Sequence, residues 1–345
     1  MYPGDLQQGF RVNNKKNRRL NMLPVLLIAV LHAAQHKKIE ISRKIRKPKL
    51  INKPLKLKKM KSVIITGTSK GIGLETALAF ARAGYKVFAT MRNPDKATDF
   101  KQKIKDESLN ISIYSMDVDS DESVKQCMDT ILGENGSVDV LINNAGIECH
   151  GSVEETSLAA FKAVMETNYF GVLRCTKALL PLMRKNRNGC IINVTSIAGK
   201  IANTPLGPYA ASKFALEAVT ESLAQEVKPH NIRVAIVEPG IINTQMANEI
   251  GTGKESIYPQ SKRFAGLFAA SLKTPTHPSV VAETIVGIAE SNSWQLRYPV
   301  GPDAIPFLQW RASMTDEEYV DWNAATDEDW YNAVQNTFGL NARQE

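Results

Sequence analysis

The sequence lacks paired cysteines, long apolar runs and internal repeats. Its four cysteines (Cys127, Cys149, Cys175, Cys190) are scattered, with no CxxC and no metal-ligand spacing. That argues against a disulfide framework and against a metal site, and the thiols are expected to stay reduced in a cytoplasmic protein. The longest apolar run, Met22 to Ala34, has 13 residues, whereas a membrane-spanning helix needs about 20. Basic residues precede it, as in a secretory signal, but a lysine-rich stretch follows without a clear cleavage site.

Acids are almost missing from the first 60 residues, which hold 16 of the 43 Lys and Arg but only Asp5 and Glu40 of the 35 acids. The remainder carries 27 bases against 33 acids, so the net charge of +8 belongs to a basic tail and the rest is mildly acidic. A nucleic-acid-binding domain carries its basic patch on the fold itself, so no nucleic-acid partner is expected. Residues 1–60 are expected to be a disordered extension, with contact to a membrane surface as the minor alternative. With 43% hydrophobic residues the chain has enough apolar material for a sizeable core.

From Met60 onward the hydrophobic period alternates. Short β-branched runs at Ser62–Thr66, Lys86–Thr90, Ile111–Met116, Val138–Asn143, Cys190–Thr195 and Ile232–Val237 read as strands, several apolar on both faces. Helical segments separate them: 71–83, 94–107, 120–134, a long stretch at 158–185 with a break, and 209–227. The pattern predicts an α/β fold, one doubly wound parallel sheet with helices on both faces. Residues 241–275 read as a loop with short helices covering a substrate. A helix at 278–291 and a strand at 295–299 close the sheet. Residues 302–345, with Trp310, Trp322 and Trp330, read as a helical extension packed on the domain, which itself spans 61–301.

The first strand runs into Thr66-Gly67-Thr68-Ser69-Lys70-Gly71-Ile72-Gly73 and then a helix. Small residues let the backbone approach a pyrophosphate, and a helix N-terminus offers free N–H groups. The second strand ends Ala89-Thr90-Met91-Arg92, without the acid that bonds an NAD ribose. Arg92, helped by Lys70, suits a 2′-phosphate instead, which points to NADP(H).

Ser196 follows the fifth strand, and Tyr209 and Lys213 share a helix face at i and i+4. Carbonyl reduction needs a proton donor for the oxygen. A nearby ammonium lowers a phenol's pKa toward useful values, so Tyr209 is the expected acid/base and Lys213 its activator and a ribose ligand. Ser196 is expected to orient the substrate oxygen, and Asn168 to hold a water in a proton relay to Lys213.

Together, TGTSKGIG (66–73), Asp117-Val118, NNAG (143–146), Asn168, Ser196, YAASK (209–213) and Pro239-Gly240 with Ile242 and Thr244 resemble the short-chain dehydrogenase/reductase family. The resemblance spans about residues 61–300. It implies a Rossmann-type fold in which Asp117 and Val118 border the adenine. It further implies that Asn144, Ala145 and Gly146 support the cofactor ribose, that Pro239 and Gly240 adjoin the cofactor, and that Ile242 and Thr244 bond the carboxamide. It also implies a homodimer or homotetramer built on the helices near 158–185 and 209–227. Arg297-Tyr298-Pro299-Val300-Gly301 and the Trp-rich extension resemble the hydroxysteroid and retinol dehydrogenase branch. That branch suggests a large apolar substrate, with Ile147, Glu148, Cys149 and residues 241–275 on the substrate side. The expected activity is NADP(H)-dependent interconversion of a carbonyl and an alcohol. The competing readings are a redox sensor that binds dinucleotide without turnover, and an enzyme attached to a basic membrane- or nucleic-acid-binding tail.

Overall fold

A computed structural model of the chain describes residues 60–252 and 255–343. The basic tail, residues 1–59, lies outside the described residues.

Strands β1 (Ser62–Thr66), β2 (Lys86–Met91), β3 (Ile111–Ser115), β4 (Val140–Asn143), β5 (Gly189–Val194), β6 (Ile232–Pro239) and β7 (Arg297–Val300) form one seven-stranded sheet. Its order is β3-β2-β1-β4-β5-β6-β7 and every pairing is parallel. All residues of β1, β4 and β5 are buried, as a strand covered on both faces requires.

Side chains of successive residues leave opposite faces. Val63 and Ile65 join one core with Leu78 and Phe80 of α1 (Gly71–Arg82), Phe100 of α2 (Thr98–Asp106), and Val281 and Ile285 of α9 (Ser279–Glu290). Ile64 faces the other core, with Met128 of α3 (Asp121–Asn135), Leu179 of α5 (Gly171–Asn186) and Leu223 of α6 (Gly207–Val227). The stretch expected to break does so at a π turn, Glu166–Phe170, between α4 (Leu158–Met165) and α5. Residues 94–107 divide into a 3-10 turn, Pro94–Lys96, and α2.

The covering segment holds more regular structure than its composition suggested. It forms α7 (Gln245–Gly251) and a twelve-residue α8 (Gln260–Ser271). Three helices follow β7: α10 (Ala304–Ala312), α11 (Asp316–Ala324) and α12 (Asp327–Phe338). Phe307, Tyr319, Trp330 and Val334 from these helices share a core with Leu267 of α8 and Ile201 and Ile241 of the main domain. Trp310 stacks edge-on against Tyr319, Trp322 and Phe338.

A polar ladder crosses the sheet at the carboxyl ends of its central strands. Asn143 and Asn193 are register partners on β4 and β5. Asn143 Nδ2 donates to Asn193 Oδ1 at 2.8 Å and to Thr176 Oγ1 at 3.2 Å, and Asn193 Nδ2 donates to Thr220 Oγ1 at 2.8 Å. All four residues are buried.

Candidate active site

The cleft opens where the strand order reverses, beyond the carboxyl ends of β1 and β4, the usual ligand position in such sheets. After β1 the chain turns through Gly67 at φ +71° and Gly71 at φ +58°, conformations that favour glycine. The loop is also tight. A Cβ on Gly67 would stand 2.7 Å from Ala145 Cα, and one on Gly73 would stand 2.2 Å from the Gly67 carbonyl oxygen and 2.4 Å from Asn144 Nδ2. Asn144 and Ala145 lock onto the loop: both amides donate to Thr66 Oγ1, at 3.0 and 2.9 Å. Asn144 Nδ2 donates to the Thr66 and Gly67 carbonyls. The N-terminus of α1 has no side-chain cap and no acid in its first turn, so its N–H groups and positive dipole end face the cleft uncompensated. A dinucleotide pyrophosphate fits this cradle.

Arg92 lies on the cavity wall and is exposed, and its guanidinium forms no hydrogen bond or ion pair among the described residues. Lys70 lines the same cavity. It reaches across the cleft and donates to Gln245 Oε1 at 2.7 Å. Asp117 stays on the cavity wall, with its Oδ1 accepting from the Asp119 amide at 3.2 Å.

Ser196, Tyr209 and Lys213 meet in the same cavity. Lys213 is buried, donates to the Val194 carbonyl at 3.1 Å and stands 5.5 Å from the centre of the Tyr209 ring. Burial pushes the Tyr209 phenol up to about 12. A hydrogen bond with Ser196 acts the other way, and the charge of Glu148 adds to the rise. Burial also pulls Lys213 down to about 8, opposed by Glu217. For both groups the largest cause is loss of solvent, which disfavours the charged form. Ser196 Oγ accepts from the Ala198 amide at 3.1 Å and donates to the Pro239 carbonyl at 3.4 Å.

Asn168 sits in the π turn, behind the cavity wall, where a Cβ on Gly146 would stand 3.2 Å from its Oδ1 and 3.8 Å from Lys213 Nζ. Its Oδ1 accepts from the Ile147 amide at 2.8 Å, and its Nδ2 donates to the Ile147 carbonyl at 2.9 Å and to Ser212 Oγ at 3.0 Å. These bonds make the side chain a brace between residue 147 and α6.

The cavity measures about 510 Å³, within the range of small-molecule sites. Gly67, Ser69, Lys70, Gly71, Ile72, Gly73, Arg92, Asp117, Val118, Asn144, Ala145, Gly146, Pro239, Gly240, Ile242 and Thr244 all line it beside the three catalytic candidates. On the substrate side Ile147 and Glu148 line it and Cys149 does not. The sequence did not identify Phe307 of α10, which completes an apolar wall with Phe264, Leu267 and Phe268 of α8, in the segment expected on the substrate side. Nor did it reveal the ion network behind Ser196, in which Thr195 Oγ1 donates to Glu217 Oε1 at 2.7 Å and Arg297 joins Glu217, Glu221 and Glu238. Burial, and then the Glu217 charge, push the Glu238 carboxyl up to about 7.

The family model for short chain dehydrogenases matches residues 61–255. The chain belongs to the short-chain dehydrogenase family. It is an oxidoreductase scaffold for a nicotinamide dinucleotide, within the retinol dehydrogenase-like branch. A 3-ketodihydrosphingosine reductase of Bacteroides thetaiotaomicron is 35% identical over 247 residues, covering 70% of this chain and 87% of the relative. Human retinol dehydrogenase 8 is 38% identical over 259 residues, covering 69% and 80%. The solved structure of ElxO with NADP bound is 30% identical with a TM-score of 0.62, covering 71% of this chain and 99% of that one.

Proposed function

We propose that this dehydrogenase interconverts a carbonyl and an alcohol on an apolar substrate, with NADP(H) preferred over NAD(H) and Tyr209 as the acid/base. The observation that carries this reading is the meeting of Ser196, Tyr209 and Lys213 in one cavity with the glycine loop. NADP(H) held here would supply or accept the hydride at the substrate carbon. Ser69, Gly71, Ile72 and Gly73 hold the pyrophosphate at the α1 N-terminus, and Arg92 takes the 2′-phosphate. Asp117 and Val118 flank the adenine, Asn144 to Gly146 support the ribose, and Pro239 to Thr244 border the nicotinamide.

In reduction the Tyr209 hydroxyl gives its proton to the carbonyl oxygen while the Ser196 hydroxyl hydrogen-bonds the same oxygen. In oxidation Tyr209 takes the proton back. Lys213 serves it best as an ammonium brought close, because a positive charge beside the phenol stabilises phenolate. The wall formed by Ile201, Leu206, Phe264, Leu267, Phe268 and Phe307 suits a large apolar substrate. The NADP bound to ElxO, and the retinol and ketone named for the relatives, agree with this reading.

A homo-oligomer is part of the proposal. Leu158 on α4, Phe170 in the π turn and Phe214 on α6 are exposed at 78%, 44% and 41% on the helices named for pairing.

The test is turnover of a panel of retinoids, steroids and simple aldehydes with NADPH, by wild type and Tyr209→Phe. Loss of a positioned acid/base lowers kcat/KM by about 10²–10⁴-fold. Tight NADPH binding with no turnover of any carbonyl or alcohol would favour the sensor instead.

A further inference from the structure

Among the lining acids, one stands on the substrate side of the cavity. Glu148 lines it two residues beyond Gly146, where a Cβ would stand 3.8 Å from Lys213 Nζ. Its side chain is only 13% exposed, and its negative charge reaches Tyr209. The other lining acids stand elsewhere: Asp117 and Asp119 near the adenine position, and Glu249 exposed on α7 accepting from Gln245. Asn203, also in the lining, bonds the Tyr319 hydroxyl.

Glu148 is held rather than loose. Its Oε1 contacts His150 Nδ1, and the His150 side chain is 7% exposed. His150 Nε2 is buried and has no partner among the described residues. The contact with Nδ1 fixes where the Glu148 carboxylate sits. Among the described ion pairs, the sole partner of Glu148 is this imidazole. A buried carboxylate is costly unless its oxygens meet hydrogen-bond donors.

We propose that Glu148, oriented by His150, is a polar subsite that binds a hydrogen-bond-donating group, an ammonium above all, close to the reacting carbon of an otherwise apolar substrate. Amino alcohols and amino ketones are thus the favoured substrate class over plain alcohols and ketones. A carboxylate at that position is disfavoured by like charge. The subsite rests on the carbonyl/alcohol reading of the cavity, so its test separates binding from turnover.

Four benzylic alcohols that differ only in the neighbouring group serve as probes: phenylethanolamine, styrene glycol, α-methylbenzyl alcohol and mandelate. Calorimetric titration of the full chain with NADP⁺ present should rank them in that order. Phenylethanolamine should bind roughly tenfold or more tighter than α-methylbenzyl alcohol, as a charged hydrogen bond provides. Glu148→Gln should erase that preference and narrow the penalty on mandelate. The wild-type ranking alone already decides if the variant folds poorly. Equal binding of the amine and the plain alcohol by wild type, or an unchanged ranking in Glu148→Gln, overturns the subsite. The expected ranking with no oxidation of any probe supports the subsite and counts against the oxidoreductase reading instead.

Discussion

A guanidinium that reaches a ligand cavity without a protein partner keeps its five donors available, and Arg92 is in that position. If it takes the 2′-phosphate, Arg92→Asp removes a charge-assisted contact and adds a repulsion. The expected result is a loss of about 10–100-fold in NADPH affinity with little change for NADH. Fluorescence titration of the two cofactors checks it, and equal losses would refute the assignment. Glu238 offers a different residue-level prediction. Its native pKa, near 7, lies above the ordinary 4.5, so the folded state prefers it protonated. The native state then loses stability relative to the unfolded chain as pH rises from 4.5 through 7. Glu238→Gln should melt increasingly above wild type between about pH 5 and pH 8, and a constant difference in Tm would exclude the effect. At this scale the residue types of the site were legible, because each motif is local. The contacts that modify them were not: Lys70 and Gln245 are 175 positions apart, and Asn168 and Ser212 are 44 apart. No local pattern announces which amide will meet which ammonium.

Elements set how closely the cofactor cradle can be built. The α1 N-terminus, the turn before it and the segment after β4 share so little space that Gly73→Ala must displace the Gly67 carbonyl or Asn144. A position that adds only a methyl group should therefore lose most NADPH binding and several degrees of Tm, measured by titration and thermal melt; unchanged values of both would contradict the geometry. The sheet was readable because buried parallel strands are continuous apolar runs, and all seven predicted strands form within two residues of their expected ends. The covering segment was harder. Helix α8 buries Arg263, Ser261 and Gly266 as well as Phe264 and Leu267, so its buried face carries no clean apolar stripe. Arg263 is buried there because Asp327 at the start of α12 pairs with it, a partner 64 residues away.

For the whole molecule, no helix among the described residues is long and apolar enough to cross a membrane. Deleting residues 1–59 should leave solubility and kcat/KM unchanged if the tail lies outside the core function, and a loss of either would tie the tail to it. Replacing Phe214 with Glu should shift the particle toward a monomer by light scattering if α6 forms the pairing face; an unchanged mass would place the interface elsewhere. The ladder of Asn143, Asn193, Thr176 and Thr220 bears on the stability of the molecule rather than on its chemistry. Changing one rung to an apolar residue strands a neighbour's buried polar group at about 1–3 kcal/mol, whereas changing matched rungs together can be nearly neutral. The four side chains therefore act on stability as one coupled unit, in which the effect of a paired change is smaller than the sum of the single ones.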